Sequence, residues 1–323
     1  MAATITLSPS LLLPVFSPAL VSVTGAGANV SVSISISGEV GQSTTTFTDE
    51  RTTNREGVIA ADISAYLRAF FSNAGSSIRQ RSVKIEVKVG TQQSTTFNAV
   101  ALFAASSPSF PIAEPITQRF YVNYAKQVAT ILADGISTTF ASYNPDGSVY
   151  KTSGTLSAGY TDFNLANYLG KDSVNRHVYY KSYRYNFIKD YSDCGQMFKW
   201  VDNQGFVRYF MLHEGATTID TKDTADVVYG TMTHTTQLGT FRNKYEYPSG
   251  YEMEVTRKYY ATFTTEEDRA LLTTMYTAQY VYMVDKEDKQ TRVRIKRGKV
   301  TTAKGLQDFE VEIIIPSQGG LTV

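Results

Sequence analysis

Asp190 and Asp193, together with Glu266, Glu267 and Asp268, are the carboxylates placed to supply a pair for glycoside hydrolysis, where one acid protonates the leaving oxygen and a second carboxylate acts as base or nucleophile. The last three open a stretch that reads as a helix, and acidic side chains in a first turn favour the positive end of the helix dipole, which accounts for them without chemistry. His213-Glu214 starts like a zinc-protease helix, but Gly-Ala-Thr follows and no second histidine stands four positions on. His177 and His234 lie in separate β-like or loop contexts with no clustered carboxylates, so ordinary polar contacts are expected of them rather than a metal site. Cys194 is the single cysteine, in YSDCGQMFKWV, with no cysteine partner and no histidine nearby. A small buried hydrophobe is its expected role. One cysteine rules out an intrachain disulfide framework and multi-cysteine zinc or iron–sulfur sites, and it fits a reducing cytosol. G-x-S-x-G, the phosphate-cradling P-loop and the dinucleotide fingerprint are all missing. No catalytic, cofactor or metal residue is therefore assigned.

A charged strand is the other candidate. In Arg292-Val-Arg-Ile-Lys-Arg297, period-two alternation puts Arg292, Arg294 and Lys296 on one face and Val293 and Ile295 on the other. Nucleic acid is one partner for such a face, but 31 basic against 30 acidic residues leave a formal charge of +1, and no aromatics interleave with these cations. A solvated sheet face near Glu287 and Asp288 is the plain alternative. A third reading joins this face to the acidic helix start Glu266, Glu267 and Asp268 of a neighbouring copy, opposite charges setting register in a ring.

The elements that must carry these residues are mostly strands. Val30 to Ile36 and Val83 to Val89 alternate apolar and polar residues with period two. Between them Asp62 can cap a helix whose Ile63, Tyr66, Leu67, Phe70 and Phe71 share one side and which Asn73-Ala-Gly75 stops. Gly57 to Leu67 (GVIAADISAYL) is echoed by Gly159 to Leu169 (GYTDFNLANYL), and each copy follows paired Ser/Thr-rich β-like runs. A repeated strand-strand-helix unit is the reading. Pro108, Pro111 and Pro115 mark a linker. Asn144-Pro-Asp-Gly147 and Asp202-Asn-Gln-Gly205 read as hairpin turns within the dense β-runs Val128 to Tyr143, Val178 to Ile188, Met197 to Val201 and Phe206 to Leu212. Gly215 to Gly239, polar and Thr-rich, reads as a long loop or second linker. Then come a long strand from Tyr251 to Phe263, a capping box at Thr264-Thr-Glu-Glu267 opening a helix to about Tyr276, and three strands, Tyr280 to Val284, Gln290 to Arg297 and Phe309 to Ile315.

These signals give a mainly β chain of two related sandwich-like domains, each with one short helix, and a C-terminal sheet-and-helix unit. The boundaries are 1–107, a linker at 108–115, 116–238 and 239–323. The apolar stretch from Leu11 to Val23 lacks a preceding Lys or Arg and is broken by Pro14 and Pro18, so neither a signal peptide nor a membrane span is expected. Aromatics make up 12% of the chain, with 22 tyrosines and one tryptophan, a composition suited to half-buried strands and protein contacts.

The segments Gln196 to Leu212 and Tyr245 to Pro316 resemble structural proteins of the tails of phages that infect Bacteroides-type bacteria. Lys199-Trp-Val-Asp-Asn-Gln-Gly205 before an aromatic strand carries the resemblance, with the long strand, Thr-capped acidic helix and paired strands after it. The latter part is also similar to the ring-forming units of tail-tube and distal-tail proteins. The resemblance implies a distal-tail or baseplate component in the virion, made in the host cytoplasm, forming a homo-oligomeric ring such as a hexamer beside other phage tail proteins. A scaffold without catalytic activity is expected. A carbohydrate-binding module using exposed aromatics and a hydrolase whose carboxylates converge only in the fold are the alternatives.

Overall fold

The computed structural model describes residues 2–40, 43–71, 78–91, 93–105, 116–124, 126–133, 141–144, 146–153, 156–169, 176–180, 183–192, 194–223, 227–236, 239–248, 251–278, 280–296 and 307–315. The linker prolines, Asn73-Ala-Gly75, Pro145 and Asp193 lie outside these residues.

The first unit contains β1 (Thr4–Ser8), β2 (Leu12–Pro14), β3 (Leu20–Thr24), β4 (Ser31–Val40), β5 (Ser43–Thr52), β6 (Ile59–Asp62), α1 (Ser64–Ala69), β7 (Gln80–Val89) and β8 (Gln93–Leu102). A three-stranded sheet β1-β3-β6 faces a five-stranded sheet β2-β8-β7-β4-β5. The alternation in sequence is the reason: Val32, Ile34 and Ile36 of β4 and Ile85 and Val87 of β7 are fully buried, and the residues between them point to water or the strand edges. Ile63, Leu67 and Phe70 are also fully buried, so α1 lays its apolar stripe into the same core. Asp62 Oδ1 accepts the N–H of Ser64 at 2.9 Å and of Ala19 at 3.1 Å. Ile63 holds the N-cap position itself, so Asp62 acts one residue before it.

The second unit contains β9 (Ile116–Tyr121), β10 (Val128–Ala133), β11 (Ala141–Tyr143), β12 (Val149–Thr152), β13 (Gly159–Asn164), α2 (Leu165–Leu169), β14 (Arg176–Tyr180) and β15 (Tyr183–Asp190). Its sheets are β10-β13 and β9-β15-β14-β11-β12. Substituting β9 for β2, β15 for β8, β14 for β7, β11 for β4 and β12 for β5 reproduces the first unit's order, including the parallel pair, β2 with β8 and β9 with β15. The helix entries also match. Leu165 N–H donates to the Gln127 carbonyl at 2.9 Å as Ile63 N–H donates to the Ala19 carbonyl at 2.8 Å, and Asn164 Oδ1 takes the Ala166 N–H at 2.9 Å as Asp62 takes that of Ser64. Gly57 and Gly159, which open the two echoed segments, both hold positive φ, 73° and 105°. The run Val178 to Ile188 is not one strand but parts of two, β14 and β15, paired from Arg176↔Phe187 to Tyr180↔Tyr183.

The third unit is a closed six-stranded barrel, β16 (Gln196–Val201), β17 (Val207–Asp223), β20 (Tyr251–Thr264), β23 (Gln307–Ile315), β22 (Gln290–Ile295) and β21 (Val281–Val284), in that order around the wall. It takes strands from both sides of the division expected at 238/239, because β16 and β17 close against β21 and β20. The described residues of Gly215 to Gly239 are strand and not loop: β17 continues to Asp223 and β18 (Val227–Thr236) pairs with β19 (Gly239–Pro248) along its whole length. Threonine is β-branched and favours strands, but Thr217 to Asp220 are exposed in succession, so no apolar alternation marks the strand. The helix α3 (Glu266–Thr277) is capped by Thr265, whose hydroxyl accepts the Asp268 N–H at 3.1 Å, one position later than the expected box. Leu272 and Met275 are fully buried against the barrel, and Trp200, also fully buried, donates its indole N–H to Thr274 Oγ1 at 2.9 Å.

Candidate functional site

Three polar constellations arise where the units meet or open. The first centres on Arg79, just before β7. Its guanidinium donates to the Gly205 carbonyl in the β16–β17 turn at 2.7 Å and to Thr130 Oγ1 on β10 at 3.2 Å, and pairs with Asp162 on β13. Thr130 Oγ1 donates to Asp162 at 2.8 Å and accepts the Val207 N–H at 3.1 Å. Tyr160 completes the junction: its hydroxyl donates to the Gln204 carbonyl, its N–H donates to Gln80 Oε1, and Arg79 lies 5.2 Å over its ring. Leu102, Leu132, Tyr160 and Phe206 pack beside these bonds, one contribution from each unit at least.

The second is a cleft of about 140 Å³ between the second sandwich and the barrel. Here two of the carboxylates singled out in the sequence do meet, across one cation. Arg119 on β9 grips Asp268 of α3 with Nη2 at 3.0 Å and Nε at 3.4 Å, and Asp190 with Nη1 at 3.2 Å. Burial pushes the Asp190 carboxyl up, but hydrogen bonds from Ser192 and Arg119 outweigh it and hold the group below the ordinary aspartate value. Arg119 is likewise more firmly protonated than usual: burial opposes its charge, and the Asp268 and Asp190 partners more than offset that. Tyr121, whose phenol burial pushes well up, accepts the N–H of Met211 on β17 at 3.0 Å. His213, exposed, sits at the rim with its ring 5.7 Å from that of Tyr260.

Because the Asp190 pKa is depressed on folding, its contribution is fully present above the unfolded aspartate value of about 3.9 and is lost as pH falls through the lower folded value. Acid titration of the melting temperature should therefore show a loss below about pH 4 that Asp190→Asn diminishes. Equal acid slopes in the two proteins would rule out this clamp as an acid-labile contact.

The third is a groove of about 490 Å³ at the β22–β23 seam. Arg292, Arg294 and Lys296 are exposed on its rim, as their alternation required, while Val293 is buried. Arg292 stacks 4.7 Å over Tyr280, and Lys296 pairs with Glu312 at 3.2 Å. Glu266 and Glu267 are exposed at the start of α3. Asp268 departs from the expected acidic surface, because Arg119 of the same chain draws it inward.

Cys194 is exposed, not buried: it stands in the bend between β15 and β16, where no core reaches it. His177 and His234 fall on β14 and β18, in separate sheets. Among the described residues no three His, Cys, Asp or Glu side chains group as a metal centre would need, and no helix is long and apolar enough to cross a membrane. No local motif announces Arg79 or Arg119, since their acidic partners stand 83 positions away for the first and 71 and 149 for the second. No known protein-family model matches this chain, and no curated protein matches it in sequence.

Proposed function

We propose that this chain is a structural protein of a phage tail, of the distal-tail or baseplate type, that assembles into a ring with copies of itself. The observation that carries the reading is the barrel-and-helix unit, which exposes acidic and basic surfaces at separate places while part-buried polar contacts fix two like-wired sandwiches to it. Such an object can present one constant shape to a neighbour, which closed symmetry requires.

The carboxylate geometry favours a scaffold over a hydrolase. Asp190 and Asp268 share a guanidinium, and Asp190 is shifted toward its ionised form, whereas a general acid in glycoside hydrolysis needs a raised pKa. The exposed aromatics are scattered as well. Among the described residues the exposed Phe16, Tyr150, Tyr191 and Tyr260 lie in four separate places, between β2 and β3, on β12, after β15 and on β20, and Phe16 shares its cavity with the half-buried Phe103 and Tyr280, so no broad exposed aromatic surface supports the glycan-binding alternative.

Mass in solution tests the ring. Sedimentation across a concentration series should give a discrete multiple of 35.8 kDa, and particle images should show rotational symmetry, six-fold for a hexamer. A wild-type chain that stays monomeric at high concentration would count against self-assembly.

A further inference from the structure

We propose that the groove at the β22–β23 seam receives the acidic start of α3 from a second copy of this chain. The proposal rests on the ring reading and names the surfaces that would make it.

The groove exists because the barrel wall is thinly sewn there. β22 pairs with β21 through four residues, from Val281↔Val293 to Val284↔Gln290, but with β23, among the described residues, through the two pairs Arg294↔Ile314 and Ile295↔Ile313 and the bond from the Lys296 N–H to the Glu312 carbonyl at 2.9 Å. Val281, Val293, Ile295 and Ile314 therefore form an apolar floor, and the Tyr276 ring at the end of α3 forms one wall. The rim is cationic. Lys296 already serves Glu312, but among the described residues no carboxylate pairs with Arg292 or Arg294. Arg292 is held in place by the Tyr280 ring rather than by an anion.

The complementary surface has the opposite sign. Glu266 and Glu267 project from the first turn of α3, exposed, and among the described residues no cation pairs with them. The third acid of that turn, Asp268, is already spent on Arg119, which also anchors the turn to the second sandwich. The acidic end is thus both charged and rigidly mounted.

Position then selects the partner. Tyr276 and Ala278 line the groove at the C-terminal end of α3, whereas Glu266 and Glu267 begin it. Twelve residues of helix span about 18 Å, so one chain cannot place its own acidic turn in its own groove. A second copy can, head to tail, leaving a free groove and a free turn for the next. Repetition of a heterologous contact closes into a ring when the rotation permits.

Charge exchange tests the pairing on the full-length chain. Arg292→Glu with Arg294→Glu, and separately Glu266→Lys with Glu267→Lys, should each raise the dissociation constant of the oligomer by at least about a hundredfold, with circular dichroism unchanged. Combining all four substitutions should restore assembly to within about tenfold of wild type, since the charges again complement. A wild-type oligomer indifferent to both reversals would overturn this pairing and leave the ring reading standing. A wild type that never assembles would overturn both. Should a reversal unfold the chain, Glu267→Cys with Arg294→Cys in a Cys194→Ser background gives a second readout. Oxidation should yield a ladder of covalent multimers, and monomer alone would overturn the proposal.

Discussion

Replacing Asp202 with alanine should destabilise the chain by about 3–5 kcal/mol, because the change strands a buried cation. Asp202 Oδ2 accepts Arg208 Nε at 2.8 Å, with side-chain exposures of 4% for the acid and 11% for the arginine. Its Oδ1 accepts the N–H groups of Gln204 at 2.9 Å and Phe206 at 3.0 Å, so the same carboxylate also shapes the turn that β16 and β17 share. Gly205 in that turn holds φ at 84°, and a Cβ there would run into the Tyr160 hydroxyl, which leaves the turn little room to relax. Removing the acid alone leaves Arg208 uncompensated among Phe206 and its neighbours, over whose ring it stacks at 5.1 Å. Asp202→Ala with Arg208→Met should recover part of the loss, since replacing both partners of a buried pair is gentler than breaking it. Urea unfolding followed by tryptophan fluorescence is the check, with Trp200 the single reporter in the adjoining strand. A single variant within about 1 kcal/mol of wild type would show that the turn stands without the carboxylate.

That turn marks how far the sequence could be read. Asp202-Asn-Gln-Gly205 is legible because its chemistry is local: an acid that bonds its own following N–H groups and a glycine for the left-handed residue. The half-buried strands β4 and β7 are legible for the same reason, their period-two pattern recording which face is wet. The like wiring of the two sandwiches was hinted at by the Gly57 and Gly159 echoes, where local helix entry repeats. The strand beyond Gly215 was not legible, since Thr217 to Asp220 are wet on both faces and leave no alternation to find. Nor was the cap position, because Thr264 and Thr265 are both capping residues and Glu267 and Asp268 are both acidic, so a shift of one keeps the motif's chemistry. Barrel closure and the Arg119 clamp depend on residues far apart in the chain, and pairwise meetings of that kind leave no trace in a single sequence.

The same limit hid Arg79, and its replacement should have the second large effect. Arg79→Met keeps much of the side chain's apolar body but deletes the donors to the Gly205 carbonyl, Thr130 and Asp162 at once. Asp162 keeps a third of its side-chain surface in water, 34%, so its charge is less stranded than that of a fully buried partner. The expected cost is about 2–3 kcal/mol, below the range for a sealed pair. What distinguishes this change is where the loss falls. Arg79 belongs to the first sandwich, Thr130 and Asp162 to the second, and Gly205 to the barrel, so the junction should loosen while each core keeps its own packing. Hydrogen exchange should quicken at the Val207 N–H and along β10 and β13, and stay slow where β20 and β23 pair inside the barrel. Arg79→Lys should fall between, retaining charge without the planar fork that reaches three acceptors. Exchange accelerated everywhere would mean the arginine supports global stability and not the junction, and exchange unchanged at Val207 would mean that apolar packing of Leu102, Leu132, Tyr160 and Phe206 suffices to hold the units together. If the ring reading is right, the loosened protein should also assemble more weakly than wild type although Arg79 touches neither the groove nor the acidic turn, since each interface would then have to order a hinge that the wild-type chain has already fixed.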